Sequence, residues 1–210
     1  KITKIKEDIT SEIASSFKNS IAIDTEATGL QIPERDKLSL IQICDEKANT
    51  YIIQPNKETY KAPNLVSVLE NEKILKIGHF LRFDKNALEY FLKCKVKNIF
   101  DTKIASKIVR TYTDAHGLKN LIQEFCNKSI DKRYGSSDWN KDINELSDKQ
   151  LEYAANDVIY LHKIKSELET MLIREERIKF LLKLGGRNLA PQGQWVPKGA
   201  PRGPPLGIVP

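Results

Sequence analysis

Apolar runs alternate with helix-type patterns through most of this chain, and that order restricts it to the α/β class, in which helices pack on a sheet. Three strands are expected first, over residues 21–25, over 38–45 in "LSLIQICD", and over 50–54. A helix over 63–71 follows, opened by Pro63 in its first turn, where the missing N–H does no harm. Then come a strand over 73–79 in "KILKIGH", a helix over 84–93, a short strand over 97–100 and a helix over 102–110. Residues 117–184 read as helical, with a loop over 133–144. The best-defined helix starts at Ser147, whose spacing to Gln150 is that of a capping box. Apolar residues recur at helical period at Leu151, Ala154, Val158, Leu161, Ile164, Leu168 and Met171. Tyr153 and Asp157, four apart, lie one turn above the other beside that stripe.

The 210 residues suffice for one domain, with 40% hydrophobic and 30% charged residues, as in a soluble globular protein. No apolar stretch approaches the roughly 20 residues of a membrane helix, and the Lys-rich start lacks the apolar segment of a signal peptide. No membrane association and a cytoplasmic location are expected. Cys44, Cys94 and Cys126 are odd in number and show no Cys-x-x-Cys spacing, which fits reduced thiols better than disulfides or zinc.

The net charge of +6 permits a polyanionic partner without demanding one. Half of it belongs to residues 185–210, which hold three basic residues, no acidic ones, six of the ten glycines and six of the nine prolines. That density excludes regular helix or a central strand. Residues 1–184 are therefore read as the folded domain and 185–210 as an irregular tail without catalytic role.

Within "SIAIDTEATGL" an apolar strand ends in two carboxylates, Asp24 and Glu26. Two apart on a strand, they leave the sheet on one side and can share a ligand. Carboxylates held this close either raise one another's pKa or bind a cation, and all-oxygen donors suit Mg²⁺ or Mn²⁺. A solvated strand end before the turn Ala27-Thr28-Gly29 would explain the pair equally well. Asp84 stands at a strand exit and helix start, where an acid has an ordinary role at the N-terminus. Asp157 lies mid-helix beside an apolar face, a disfavoured place for an unpaired charge, although it could reach solvent.

Taken together these segments resemble the DEDD family of 3′–5′ exonucleases. "DTEATGL" is similar to its first motif, "GHFLRFD" to its second and "YAAND" to its third. The likeness spans about residues 4–183 and is nearest to short, single-domain members of the ribonuclease D group, whose pattern "DTKIASKIVRTYTDAHGLKNL" and "SSDW" also resemble. Tyr153, four residues before Asp157, marks the tyrosine form, because Glu152 stands where the histidine form has its His.

The resemblance implies a ribonuclease H-like (DnaQ-like) fold, a mixed central sheet flanked by helices. It implies two divalent ions, Mg²⁺ or Mn²⁺, held about 4 Å apart by Asp24, Glu26, Asp84 and Asp157. Asp24 would bridge them, Glu26 and Asp157 would hold the ion on the nucleophile's side, and Asp84 the other, directly or through water. Tyr153 would orient the attacking water. Ala27, Leu30, His79, Phe80 and Phe83 would border the terminal nucleotide, with Leu30 as an apolar wedge. Core packing is the competing role of His79 and the two phenylalanines. Many members carry Asn where this chain has Phe80. His116 and His162 fall in no motif and are read as structural, and Trp139 as an anchor for its loop.

The implied activity is release of nucleoside 5′-monophosphates from a nucleic-acid 3′ end, RNA favoured over DNA, with tRNA 3′ trimming as one role. An aspartate-nucleophile phosphatase also ends a strand in acid-x-acid-x-Thr, but wants Asp at Glu26 and an Asp-Asp pair that this chain lacks. A catalytically silent nucleic-acid-binding module fits less well, since bare carboxylates would repel phosphate.

Overall fold

A computed structural model describes residues 1–32, 34–130 and 137–177. The expected boundary between 184 and 185, the tail beyond it, and part of the 133–144 loop lie outside these residues. The elements run β1 (Ile2–Lys6), α1 (Ser11–Ser16), β2 (Ser20–Ala27), β3 (Leu38–Asp45), β4 (Thr50–Gln54), α2 (Pro63–Glu70) and β5 (Leu75–Gly78). They continue with α3 (Arg82–Leu92), β6 (Ile99–Asp101), α4 (Thr102–Val109), α5 (Leu118–Cys126), α6 (Asp148–Ile159) and α7 (Leu161–Arg174).

The strands form one mixed sheet in the order β1-β4-β3-β2-β5-β6. The antiparallel meander β2-β3-β4 supplies its middle, while β1 joins β4, β5 joins β2 and β6 joins β5 in parallel. Alternation along the strands sorts the core into two faces. Ile21, Ile23, Ile41, Ile43 and Ile53 pack with Leu65, Leu69, Ala87 and Leu88 of α2 and α3. Ala22, Cys44, Ile77 and Phe100 pack on the opposite side with residues of α4, α5 and α7, and Leu40 and Ile52 with Trp139, Leu151 and Ala154. Each fully buried isoleucine contributes roughly 1.5–3 kcal/mol to such a core.

Two elements were not expected. The sequence ITKIK of β1 alternates lysine with isoleucine, as suits an edge strand with one wet face, and α1 spans only six residues. The single helix expected after Ser147 is two. Ser147 and Gln150 do form the capping box, but the chain redirects at Tyr160, so Leu151 and Ala154 cover β3 and β4 while Leu161, Ile164 and Leu168 join the other cluster. The apolar stripe continues through the bend because both helices need one. Cys44, Cys94 and Cys126 are free thiols, and among the described residues no helix is long and apolar enough to cross a membrane.

Candidate active site

The site lies at the end of β2, where three neighbouring elements meet it. Asp24 and Glu26 leave β2 on the face covered by α6, which packs across β2, β3 and β4 and carries Tyr153 and Asp157. Carboxylate oxygens of Asp24, Glu26 and Asp157 come within 4.8 Å of one another. Past Glu26 the pairing with β3 slips at Ala27, so the strand opens just beyond the acids.

Asp84, in the first turn of α3, lies on the other side of the strand and is buried. Its Oδ1 accepts from the Thr25 N–H at 3.0 Å and from the Thr25 hydroxyl at 2.6 Å. Thr25, between the two acids of the first motif, thereby ties the second motif to it. The sequence offers no sign of this pair, because its members are 59 residues apart.

Charge crowding sets the electrostatics. Burial, then Asp84, Asp157 and Glu26, push the Asp24 carboxyl well above its ordinary range. Burial, then Asp157 and Asp84, push Glu26 up to about 8. Burial raises Asp84 against the opposing effect of the Thr25 bonds. Tyr153 is raised by burial and then by Asp157, Glu26 and Asp24, so it keeps its proton at neutral pH and can donate toward the acids. Trp139 is buried and stacks on the Tyr153 ring at 6.1 Å, so the loop that it anchors also backs the tyrosine.

This donor set fits hard divalent cations. The close group is all carboxylate oxygen, and acids raised by mutual repulsion are those that a dication would relieve. A solvated strand end would not hold Asp24 and Glu26 against a third acid from a helix far along the chain.

The other expected residues divide by position. Leu30, 84% exposed, stands on the loop between β2 and β3. Asp36 braces that loop: its Oδ2 accepts from the Gln31 N–H at 2.8 Å, and a Cβ at Gly29 would come 2.4 Å from it. Ala27 is half-buried at the β-bulge, and Phe83 is half-buried on α3. His79 is half-buried, with Nδ1 3.0 Å from the Thr102 hydroxyl, which donates to Gly78 O. His116 Nδ1 lies 2.9 Å from the Ser106 hydroxyl.

Phe80 is 54% exposed and held at φ 64°, with the Lys103 ammonium 4.0 Å from its ring centroid. The Phe80 and Leu81 N–H groups donate to the Asp101 carboxylate at 3.0 and 2.9 Å. Asp101 also accepts from the Lys103 and Ile104 N–H groups and so caps α4. Sequence reasoning missed Asp101 and Lys103. The N-cap pattern of an acid before a helix was visible, but not the turn that it holds.

The comparisons agree with this geometry. Residues 3–173 match a family model described as 3′–5′ exonuclease. The chain is 36% identical over 167 residues to a DNA polymerase I of Aquifex aeolicus, covering 77% of this chain and 26% of that protein. To a ribonuclease D of Haemophilus influenzae it is 35% identical over 159 residues, covering 75% of this chain and 38% of that one. It thus spans only about a quarter to two fifths of these curated relatives. Among solved structures, Brucella melitensis NrnC bound to pGG is 42% identical, with a TM-score of 0.81 and 87% of both chains covered. NrnC with bound Mg²⁺ is similar at 42% identity and TM-score 0.80, again over 87% of both chains. Escherichia coli RNase D, 22% identical with a TM-score of 0.73 over 83% of this chain and 46% of that one, shows the shared ribonuclease H-like fold. Three motifs in order, the acids they bring together, and a match across nearly all of the described residues make this chain a member of the 3′–5′ exonuclease family.

Proposed function

We propose that the protein removes nucleoside 5′-monophosphates one at a time from RNA 3′ ends, with Asp24, Glu26, Asp84 and Asp157 holding two divalent ions, Mg²⁺ or Mn²⁺. The observation that carries this reading is the approach of Asp24, Glu26 and Asp157 to within 4.8 Å on the sheet face that α6 covers. Such ions, when bound, activate a water as nucleophile and stabilise the departing 3′ oxygen.

The chain's own residues supply position. Asp24 shares a sheet face with Glu26 and is next in sequence to Thr25, which holds Asp84, so it is the residue that would contact both ions. The Tyr153 hydroxyl orients the attacking water by a hydrogen bond. Leu30 wedges against the terminal base, and Ala27, His79, Phe80 and Phe83 border the same nucleotide.

RNA rather than DNA is supported by the ribonuclease D relatives, and tRNA 3′ trimming is one role that suits them. Short oligonucleotides are a second substrate class, favoured by the NrnC structure that holds pGG. The same reading has the protein act in the cytoplasm. A silent binding module is disfavoured by the retention of all four acids and the tyrosine.

The test uses 5′-labelled single-stranded RNA, duplex RNA, DNA and pGG, each with Mg²⁺, Mn²⁺ or excess chelator. A ladder shortening from the 3′ end, blocked by a 3′-phosphate and by chelator, is expected. Cleavage of a circular RNA, or full activity in chelator, would overturn the reading.

A further inference from the structure

Behind the acids lies a polar side chain without a hydrogen-bond partner among the described residues. Gln42, in the middle of β3, pairs with Asp24 on β2 and with Ile52 on β4. It therefore leaves the sheet on the face of Asp24, beneath α6. It is 0% exposed, and neither its Oε1 nor its Nε2 has a hydrogen-bond partner among the described residues. Gln54, on the same face, differs: its Oε1 accepts from the Ile143 N–H at 3.0 Å and its Nε2 donates to Lys141 O at 2.7 Å.

A buried amide open at both ends is rare and disfavoured, which calls for a state in which it is bonded. Its neighbours on that face narrow the choice. Leu40 and Cys44 flank it along β3, and Ile52 lies across on β4. Thr50, diagonal to it, carries a hydroxyl that is likewise unpartnered. Directly opposite is Asp24, at the cross-strand spacing of about 5 Å between Cβ atoms that a glutamine spans easily. Of these neighbours only Asp24 belongs to the group of carboxylates that could hold cations, so only its oxygens would be reoriented by cation binding into reach of the amide.

We propose that Gln42 is a positioning residue for the metal site: its side-chain N–H bonds the Asp24 carboxylate once cations are held, fixing the orientation in which Asp24 bridges them. This rests on the reading of Asp24 as a metal ligand. The orphaned amide is then the preformed half of a hydrogen bond that metal binding completes.

The experiment titrates Mn²⁺ alone calorimetrically into the full chain, as parent, Gln42→Met, Gln42→Leu and Asp24→Asn, with metal-free melting curves for each. The near-isosteric Gln42→Met should weaken Mn²⁺ affinity by roughly 10- to 100-fold. Its metal-free melting temperature should stay level or rise, since the group removed bonds nothing there. A purely structural glutamine would do the reverse, and metal-free melting lowered in both Gln42→Met and Gln42→Leu would overturn the proposal. So would parent-like affinity in Gln42→Met while Asp24→Asn binds weakly. If Asp24→Asn itself binds Mn²⁺ like the parent, the metal-site reading fails instead.

Discussion

Thr25 donates twice to a single oxygen of Asp84, through its N–H at 3.0 Å and its hydroxyl at 2.6 Å. The residue between the two acids of one motif thus fixes the acid of another, and both bonds use Oδ1 of Asp84, leaving Oδ2 outside the pair. Thr25→Val preserves shape and the backbone bond but removes the hydroxyl. A lost hydrogen bond to a charged group costs about 1.5–3 kcal/mol. Single-turnover rates should fall roughly 10- to 100-fold as Asp84 loses its fixed orientation. A Thr25→Val enzyme as fast as the parent would make that hydroxyl a packing group.

The two residues on α6 should separate cleanly. Asp157→Ala should weaken metal binding and reduce turnover by orders of magnitude, and raising Mn²⁺ should restore little of it. Tyr153→Phe should reduce turnover by roughly 10- to 1,000-fold with metal and substrate affinity nearly unchanged, as for loss of one positioned donor. Metal titrations with single-turnover rates on both variants decide this. Equal metal-affinity losses in the two would place Tyr153 among the groups that shape the metal site.

Phe80 combines exposure with a left-handed backbone, φ 64°, that costs a non-glycine residue about 1–3 kcal/mol. Its N–H is held by Asp101 and its ring by Lys103, so the aromatic is presented to solvent in a fixed pose. Phe80→Gly relieves the backbone while deleting the ring. Thermal stability should hold or rise, and KM for single-stranded RNA should increase roughly tenfold, on the scale of one stacked base, with kcat little changed. An unchanged KM would return Phe80 to a structural role.

How far the chain could be read beforehand depended on the range of each interaction. The strands of the meander declare themselves through Ile21-Ala22-Ile23 and "LSLIQIC", because burial on both faces demands unbroken apolar runs. β1 escaped because Lys4 and Lys6 interrupt it at a sheet edge, and α1 because six residues carry too little periodicity. The bend at Tyr160 left no mark, since the apolar stripe serves two clusters in succession. The acids were visible as motif residues, but Thr25 on Asp84 and Asp101 on Phe80 join positions 59 and 21 residues apart, which no local pattern encodes. Gln42 read only as one polar letter in a buried strand.

Proton linkage gives the last prediction. In the metal-free fold Glu26 is pushed from 4.5 to about 8, chiefly by burial and then by Asp157 and Asp84, whereas the unfolded chain restores its ordinary value. Between those values the folded state binds more protons than the unfolded one, so this group's stabilisation is complete below about pH 4.5 and is lost as pH rises through about 8. Asp24 and Asp84 are shifted upward as well and act in the same direction. A bound dication needs the carboxylates ionised, so its binding releases protons at low pH and is strengthened as pH rises. The increase in melting temperature produced by saturating Mg²⁺ should therefore grow from below pH 5 to about pH 8 and then level off. Glu26→Gln cannot titrate, so its metal-free melting temperature should fall less over that range than the parent's. Melting curves with and without Mg²⁺ across the range provide the measurement, and a Mg²⁺-induced shift that is independent of pH would show that these acids are already ionised in the empty site.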